Sequence, residues 1–192
     1  CAGRPIIRLH RAVMFLMLGE GPDVRPEDSG DLTMPDLPAL LSKGRYRARL
    51  AETAEDIAAA QALRSLCYAT AEPDNDAFDA VCSHVLVEEL KSGTLVCCFR
   101  MLVLEGGAEV ERSYSAQFYG LSSLQDFEGR MAEVGRFCIR PGWNDPDILR
   151  IAWGAMTSFV DENDIRMLFG CSSFAGTETE DYLDAFAMLK HC

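Results

Sequence analysis

Histidine is scarce in this sequence: three in 192 residues, none paired with a plausible nucleophile. Hydrolases of the Ser-His-Asp or Cys-His type need an imidazole beside the attacking group. That class is therefore set aside. The eight cysteines, at positions 1, 67, 82, 97, 98, 138, 171 and 192, include no CxxC and no zinc-ligand spacing. They read as small buried hydrophobes in a reducing, cytoplasmic compartment, with no metal site and no disulfide framework. The apolar run Val13–Leu18 is too short to span a membrane. Arg4, Arg8 and Arg11 precede it. Two readings stay open: a short amphipathic helix lying at the inner face of an anionic membrane, or a helix packed on the domain.

Positive charge is the other shortage. The net charge is −12, and residues 50–192 carry 10 Lys/Arg against 24 Asp/Glu. Such a body argues against nucleic acid as a partner. It tolerates a cationic small substrate, whereas an acidic protein partner needs a local basic patch. With 48% hydrophobic and 25% charged residues, the chain has enough apolar material for one folded domain. Glycine and proline among acids mark residues 19–44 as linker. The division expected is an N-terminal segment over 1–44, poorly ordered or associated with a membrane or partner, and a folded domain over 45–192. Residue 1 is Cys rather than Met, and no strand follows the last expected helix. We therefore expect sequence missing from the C-terminal end.

What is present organises around residues 131–174. Residues 131–139 are short, apolar and β-prone. Asp145-Pro146-Asp147 then supplies a capping side chain, proline at the first helical position and an acid in the first turn. Ile148, Ile151, Ala152, Ala155, Phe159 and Val160 recur at helical spacing, and 167–172 is a second apolar strand. Strand–helix–strand of this length predicts a parallel pair. Upstream, Arg45, Arg47 and Arg49 alternate with Tyr46, Ala48 and Leu50 in a strand with one basic face. That face is either solvated or a dock for something acidic. Thr53-Ala-Glu-Asp56 resembles a capping box ahead of a helix over 54–68. Two strands, 84–90 and 94–104, flank the hairpin signal Lys91-Ser-Gly93. A last helix is expected over 178–190. The fold class is α/β: a mixed sheet, antiparallel in its N-terminal half, with a parallel pair at 131–139 and 167–172.

Charges interrupt this pattern at Arg64, Asp76, Asp79, Arg100, Glu133 and Arg136. Buried charge is costly unless paired or used. Glu133 and Arg136 are an odd number of residues apart, so a plain strand points them to opposite faces. A bulge at Gly135 puts both on one face, and bulges collect at active sites. A pair that only fixes sheet register is the competing reading.

Taken in order, the motifs resemble a known family. They are Arg64, the Asp76-x-Phe-Asp79 run, Cys82-Ser-His84 opening a strand, Arg100, Glu133-Val-Gly-Arg136, Pro141 and Phe169-Gly-Cys-Ser-Ser-Phe-x-Gly176. Over residues 45–192 the chain resembles the L-ornithine Nα-acyltransferases of the GNAT superfamily. More distantly it resembles the acyl-homoserine lactone synthases. The resemblance implies transfer of a fatty acyl group, typically 3-hydroxylated in that family, from acyl carrier protein to the α-amine of ornithine, the first step of ornithine lipid synthesis.

No cofactor is expected to reside in the protein; phosphopantetheine arrives on the carrier. Under this resemblance Glu133 is the candidate base and Arg136 orients it or offsets its charge. Asp76 and Asp79 hold the ammonium groups of ornithine, and Arg64 or Arg100 its carboxylate. Arg45, Arg47 and Arg49 are the candidate carrier dock. The segment Arg140-Pro-Gly142-Trp-Asn-Asp-Pro-Asp147 lacks the glycine pattern that cradles a coenzyme A pyrophosphate, and its acids repel phosphate, which favours a carrier-bound donor. Two further readings stay open: a related carrier-dependent acyltransferase with another amine acceptor, and a non-catalytic GNAT-like binding module.

Overall fold

A computed structural model describes residues 10–17, 39–174 and 183–184. Among the described residues seven strands form one sheet, in the order β1-β7-β6-β5-β4-β3-β2. The strands are β1 (His10–Met17), β2 (Ala39–Lys43), β3 (Tyr46–Leu50), β4 (Ser83–Glu89), β5 (Leu95–Leu104), β6 (Arg130–Ile139) and β7 (Ile165–Phe174). Two helices join them, α1 (Ala54–Tyr68) and α2 (Pro146–Glu162). Neighbouring strands are antiparallel except β6 and β7, which run parallel as their α2 crossover requires.

The helix boundaries follow local chemistry. Thr53 and Asp56 form the reciprocal capping box that opens α1. The Asp145 side chain accepts from the Asp147 amide at the start of α2, with Pro146 behind it. No helix among the described residues is long and apolar enough to cross a membrane.

Two expectations near the N-terminus need correction. The run at 13–18, read as a helix, lies mostly in β1, which pairs with β7 from His10↔Phe174 to Met17↔Met167. An edge position beside a parallel strand gives its backbone the ladder bonds that a six-residue apolar run cannot announce by periodicity. The linker expected up to residue 44 gives way at Ala39, where β2 pairs with β3. The helix expected over 178–190 lies outside the described residues except Leu183 and Asp184, which are helical.

The sheet divides the domain into two layers. On one face α2 packs Ile148, Ala152, Ala155 and Phe159 against Ala48, Val85, Phe99, Met101 and Ala132. The other face carries α1, which buries Ala60 and Leu63 on Leu86, Cys98 and Cys138. Beyond α1 on that face, Val110 and Leu121 of the β5–β6 connection cover Leu102, Leu104, Met131 and Phe169. The charged positions singled out from sequence gather on this second face.

Candidate active site

The parallel pair opens partway along. β6 and β7 are in register from Met131↔Met167 to Val134↔Gly170. Both strands continue, to Ile139 and Phe174, yet among the described residues no further pair joins them. Gly135 stays with Arg100 of β5, while Cys171 stays with Val13 of β1. A wedge therefore opens beyond Val134 and Gly170. Gly170 sits at its apex, where a Cβ would stand 2.3 Å from the Val134 carbonyl oxygen.

A bulge lies just past that apex. Cys98↔Cys138 and Arg100↔Gly135 bracket one residue on β5 and two, Arg136 and Phe137, on β6. Arg136 takes φ +54°, a left-handed backbone that a non-glycine residue adopts at some cost. The expected bulge is thus present one residue later than Gly135, and it has the expected effect. Glu133 accepts from the Tyr114 amide and the Arg136 guanidinium lies 5.3 Å from the Tyr114 ring centre, so both reach one side of the sheet.

Arg136 does not orient Glu133. Its partners are Asp74 (3.1 Å) and Asp76 (3.2 Å). They belong to a closed network of three arginines and three aspartates. Arg64 grips Asp79 through both Nη atoms, at 2.8 and 2.7 Å, and donates to the Asp74 carbonyl. Arg100 binds Asp76 at 2.6 and 2.8 Å and Asp79 at 2.8 Å. Equal numbers of opposite charges make burial tolerable; Asp76 and Asp79 are hydrogen-bonded to arginine, while the Asp74 carboxylate is held by ion pairing to Arg64 and Arg136.

Burial alone raises the Asp79 carboxyl, but hydrogen bonds from Arg64 and Gln61 outweigh it and hold it below its usual value. Asp76 is lowered as well, against burial, chiefly by Arg100. Asp76 and Asp79 also cap a short turn, Asp76 accepting from the Phe78 amide. Burial lowers the pKa of His84 below its usual value, and its Nε2–H donates to the Asp79 carbonyl oxygen at 3.1 Å.

The network has an inside and an edge. Side-chain exposure is 1% for Arg64, 7% for Asp79 and 4% for Arg100, against 24% for Asp76 and 22% for Arg136. The first three are bound within the network, Arg64 to Asp79 and Asp74, and Arg100 to Asp76 and Asp79. Holding substrate ammonium on Asp79, or carboxylate on Arg64 or Arg100, requires breaking buried ion pairs. Asp76 and Arg136 are partly exposed and lie beside Phe78, Tyr114 and Phe118, whose rings touch one after the next.

Glu133 is almost fully buried, and its carboxylate is fully engaged. Oε2 accepts from the Tyr114 amide (2.7 Å); Oε1 accepts from the Ser115 amide (2.7 Å) and the Ser115 hydroxyl (2.5 Å). Ser115 lies in the 113–127 segment, where the sequence offers only a mixed aromatic and serine-rich stretch. Nothing local in that stretch marks Ser115 as a partner of a strand residue.

The basic face of β3 is also accounted for. Arg49 is buried and bound to Asp56 and Glu88; Arg47 is bound to Glu88. Only Arg45 remains well exposed, with Glu89 at 3.4 Å and Asp145 at 3.8 Å. The alternation Arg-x-Arg-x-Arg therefore describes a cross-strand ion ladder more than an open patch.

Residues 59–154, half of the chain, match the family model for an acetyltransferase (GNAT) domain. The chain belongs to that family. It is 30% identical over 163 residues to the L-ornithine N(alpha)-acyltransferase of Rhodobacter capsulatus, aligned over 76% of this chain and 63% of that protein. To the L-ornithine N(alpha)-acyltransferase of Rhizobium meliloti it is 28% identical over 162 residues, 74% of this chain and 55% of that protein. The chain thus spans between 55% and 63% of the length of these two relatives. Among solved structures, the AHL synthase LasI is similar at 18% identity with a TM-score of 0.48, covering 62% of this chain and 68% of that one.

Proposed function

We propose that this protein is an N-acyltransferase that moves a 3-hydroxyacyl group from the phosphopantetheine thioester of acyl carrier protein to the α-amine of ornithine. One observation carries the reading: the wedge beyond Val134 and Gly170 opens beside a bulge that brings Glu133 and Arg136 to the same side. The names of the two bacterial relatives support ornithine as acceptor.

The pantetheine arm lies in the wedge, where among the described residues β6 and β7 no longer pair with each other and their facing backbone supplies amide donors. Amides of the segment 135–139 stabilise the oxyanion that forms as the thioester is attacked. Asp76 and Arg136, the accessible edge of the ionic network, take the ammonium and the carboxylate of the amino acid. Arg64, Asp79 and Arg100 hold that edge in place from inside. Glu133 accepts the proton lost by the attacking amine. A carrier-bound donor fits the start of α2, where Asp145 and Asp147 disfavour a free nucleotide phosphate. Arg45 is the remaining contact proposed for the acidic carrier.

The test is product identity. Purified protein incubated with 3-hydroxyacyl carrier protein and ornithine should yield α-N-(3-hydroxyacyl)ornithine by mass spectrometry. An acylated amine other than ornithine points to a related transferase with a different acceptor. No turnover with any amine overturns the catalytic reading.

A further inference from the structure

The base in this reading has no direct route to a substrate. Glu133 is 5% exposed, and each of its oxygens already accepts from the 114–115 turn. An amine reaching it head-on would have to displace a fully buried serine. Ser115 itself, however, has a second neighbour. Its Oγ lies 3.2 Å from the Sγ of Cys171. Cys171 is the first residue of β7 past the last pair with β6, and it is partly exposed. Glu133, Ser115 and Cys171 thus form a line from the buried strand to the wall of the wedge.

The polarity of that line is set. Ser115 gives its hydroxyl proton to Glu133 Oε1, so toward Cys171 its oxygen acts as acceptor and the thiol as donor. Every hydrogen points inward, toward the carboxylate.

Resting on the reading of Glu133 as the base, we infer that Cys171 and Ser115 relay the proton from the attacking amine to Glu133, Cys171 as the catalytic group that meets the amine and Ser115 as the link behind it. The acceptor loses one ammonium proton to solvent. As its nitrogen forms the bond to the acyl carbon, a second N–H proton passes to Sγ, the thiol proton to Oγ and the hydroxyl proton to Oε1. The carbon–sulfur bond of the thioester then breaks. Glu133 returns the proton by the same line to the departing thiolate. The sum is amide plus thiol, with no oxidant or further reactant.

Four variants in the full chain test this: Glu133→Gln, Ser115→Ala, Cys171→Ala and Cys171→Ser. Ser115→Ala keeps both backbone donors to Glu133. The relay predicts that it lowers kcat by about a hundredfold, within the usual range for losing acid–base assistance, with the acceptor KM within about twofold. It also predicts that the acidic limb of the kcat–pH profile is lost. Cys171→Ala should lose at least about tenfold in kcat, and Cys171→Ser should recover most of that, because a hydroxyl donates and accepts along the same line.

Should Ser115→Ala fail to fold, the two Cys171 variants decide alone. Equal kcat values for Cys171→Ala and Cys171→Ser overturn the relay, since only packing then distinguishes them from the parent. So does an acyl group trapped on Cys171, which makes the thiol a nucleophile. If Glu133→Gln loses turnover while Ser115→Ala and Cys171→Ala keep it, the base stands and the relay falls. Full turnover in Glu133→Gln removes the base itself.

Discussion

The Arg136 guanidinium lies 3.2 Å from the Asp76 carboxylate, across 60 residues of sequence. This pairing fixes the bulge of β6 against the loop after α1. Arg136 holds a left-handed backbone there, and the ion pair, together with the second contact to Asp74, offsets the strain of that conformation. A bulge residue that would otherwise relax is thus tied to the element that borders the acceptor side.

The inside of the network carries stability. Arg64 and Asp79 are both buried, so removing one partner leaves an uncompensated charge. Arg64→Ala is expected to destabilise the domain by about 3–5 kcal/mol in urea unfolding. A loss under about 1 kcal/mol, the scale of an exposed pair, would show that the pair is solvated in practice.

The apex of the wedge is set by one hydrogen atom. Gly170→Ala places a methyl group against backbone, which cannot swing aside as a flexible side chain would. The two strands must part earlier, at a cost of about 1–3 kcal/mol, as for other overpacked sites. The expected result is a lower melting temperature together with a raised donor KM. A raised donor KM follows because the wedge, rather than the acceptor edge, changes shape. Unaltered donor kinetics would place the thioester elsewhere.

Acid should weaken the fold in two steps. Burial lowers the folded pKa of His84 below its usual 6.5, so the unfolded chain binds the proton more readily. Its contribution is present above pH 6.5 and declines as pH falls through that value. Asp76 and Asp79 are also lowered, from a usual 3.8, and their contribution is lost on further acidification below that value. Urea midpoints measured from about pH 8 to about pH 3 should fall in both windows. His84→Gln should remove the first decline and keep the second.

The donor contact separates from the chemistry. Arg45→Glu is expected to raise KM for the carrier-bound donor about three- to tenfold, with more effect at low salt, as for a rim charge. The same variant should leave KM for an acyl-pantetheine donor without carrier unchanged. An equal effect on both donors would remove Arg45 from the carrier contact.

Much of the fold is legible in the sequence because its signals are local. The Thr53–Asp56 box, the Asp145-Pro146 start and the Lys91-Ser-Gly93 turn each act within a few residues. The parallel pair follows from the length of the crossover, and the bulge from charge spacing beside Gly135. The site is less legible, since its partners are remote. Sequence proximity ties Arg136 to Glu133, three residues away, because nothing in the chain shows that Asp74 and Asp76 fold back onto it. Arg45, just before β3, and Arg47 and Arg49 within it form a patch only in the absence of Glu88, Glu89 and Asp56, which the fold brings alongside. Ser115 stays hidden because a serine among serines carries no period, and β1 because a short apolar run fits helix and strand alike.

A structure of the protein with a non-hydrolysable thioether analogue of acyl-pantetheine tests the account most directly. The analogue should thread the gap between β6 and β7, its sulfur just beyond Val134 and Gly170 and beside Cys171. An analogue bound elsewhere, with that gap empty, would contradict the central claim.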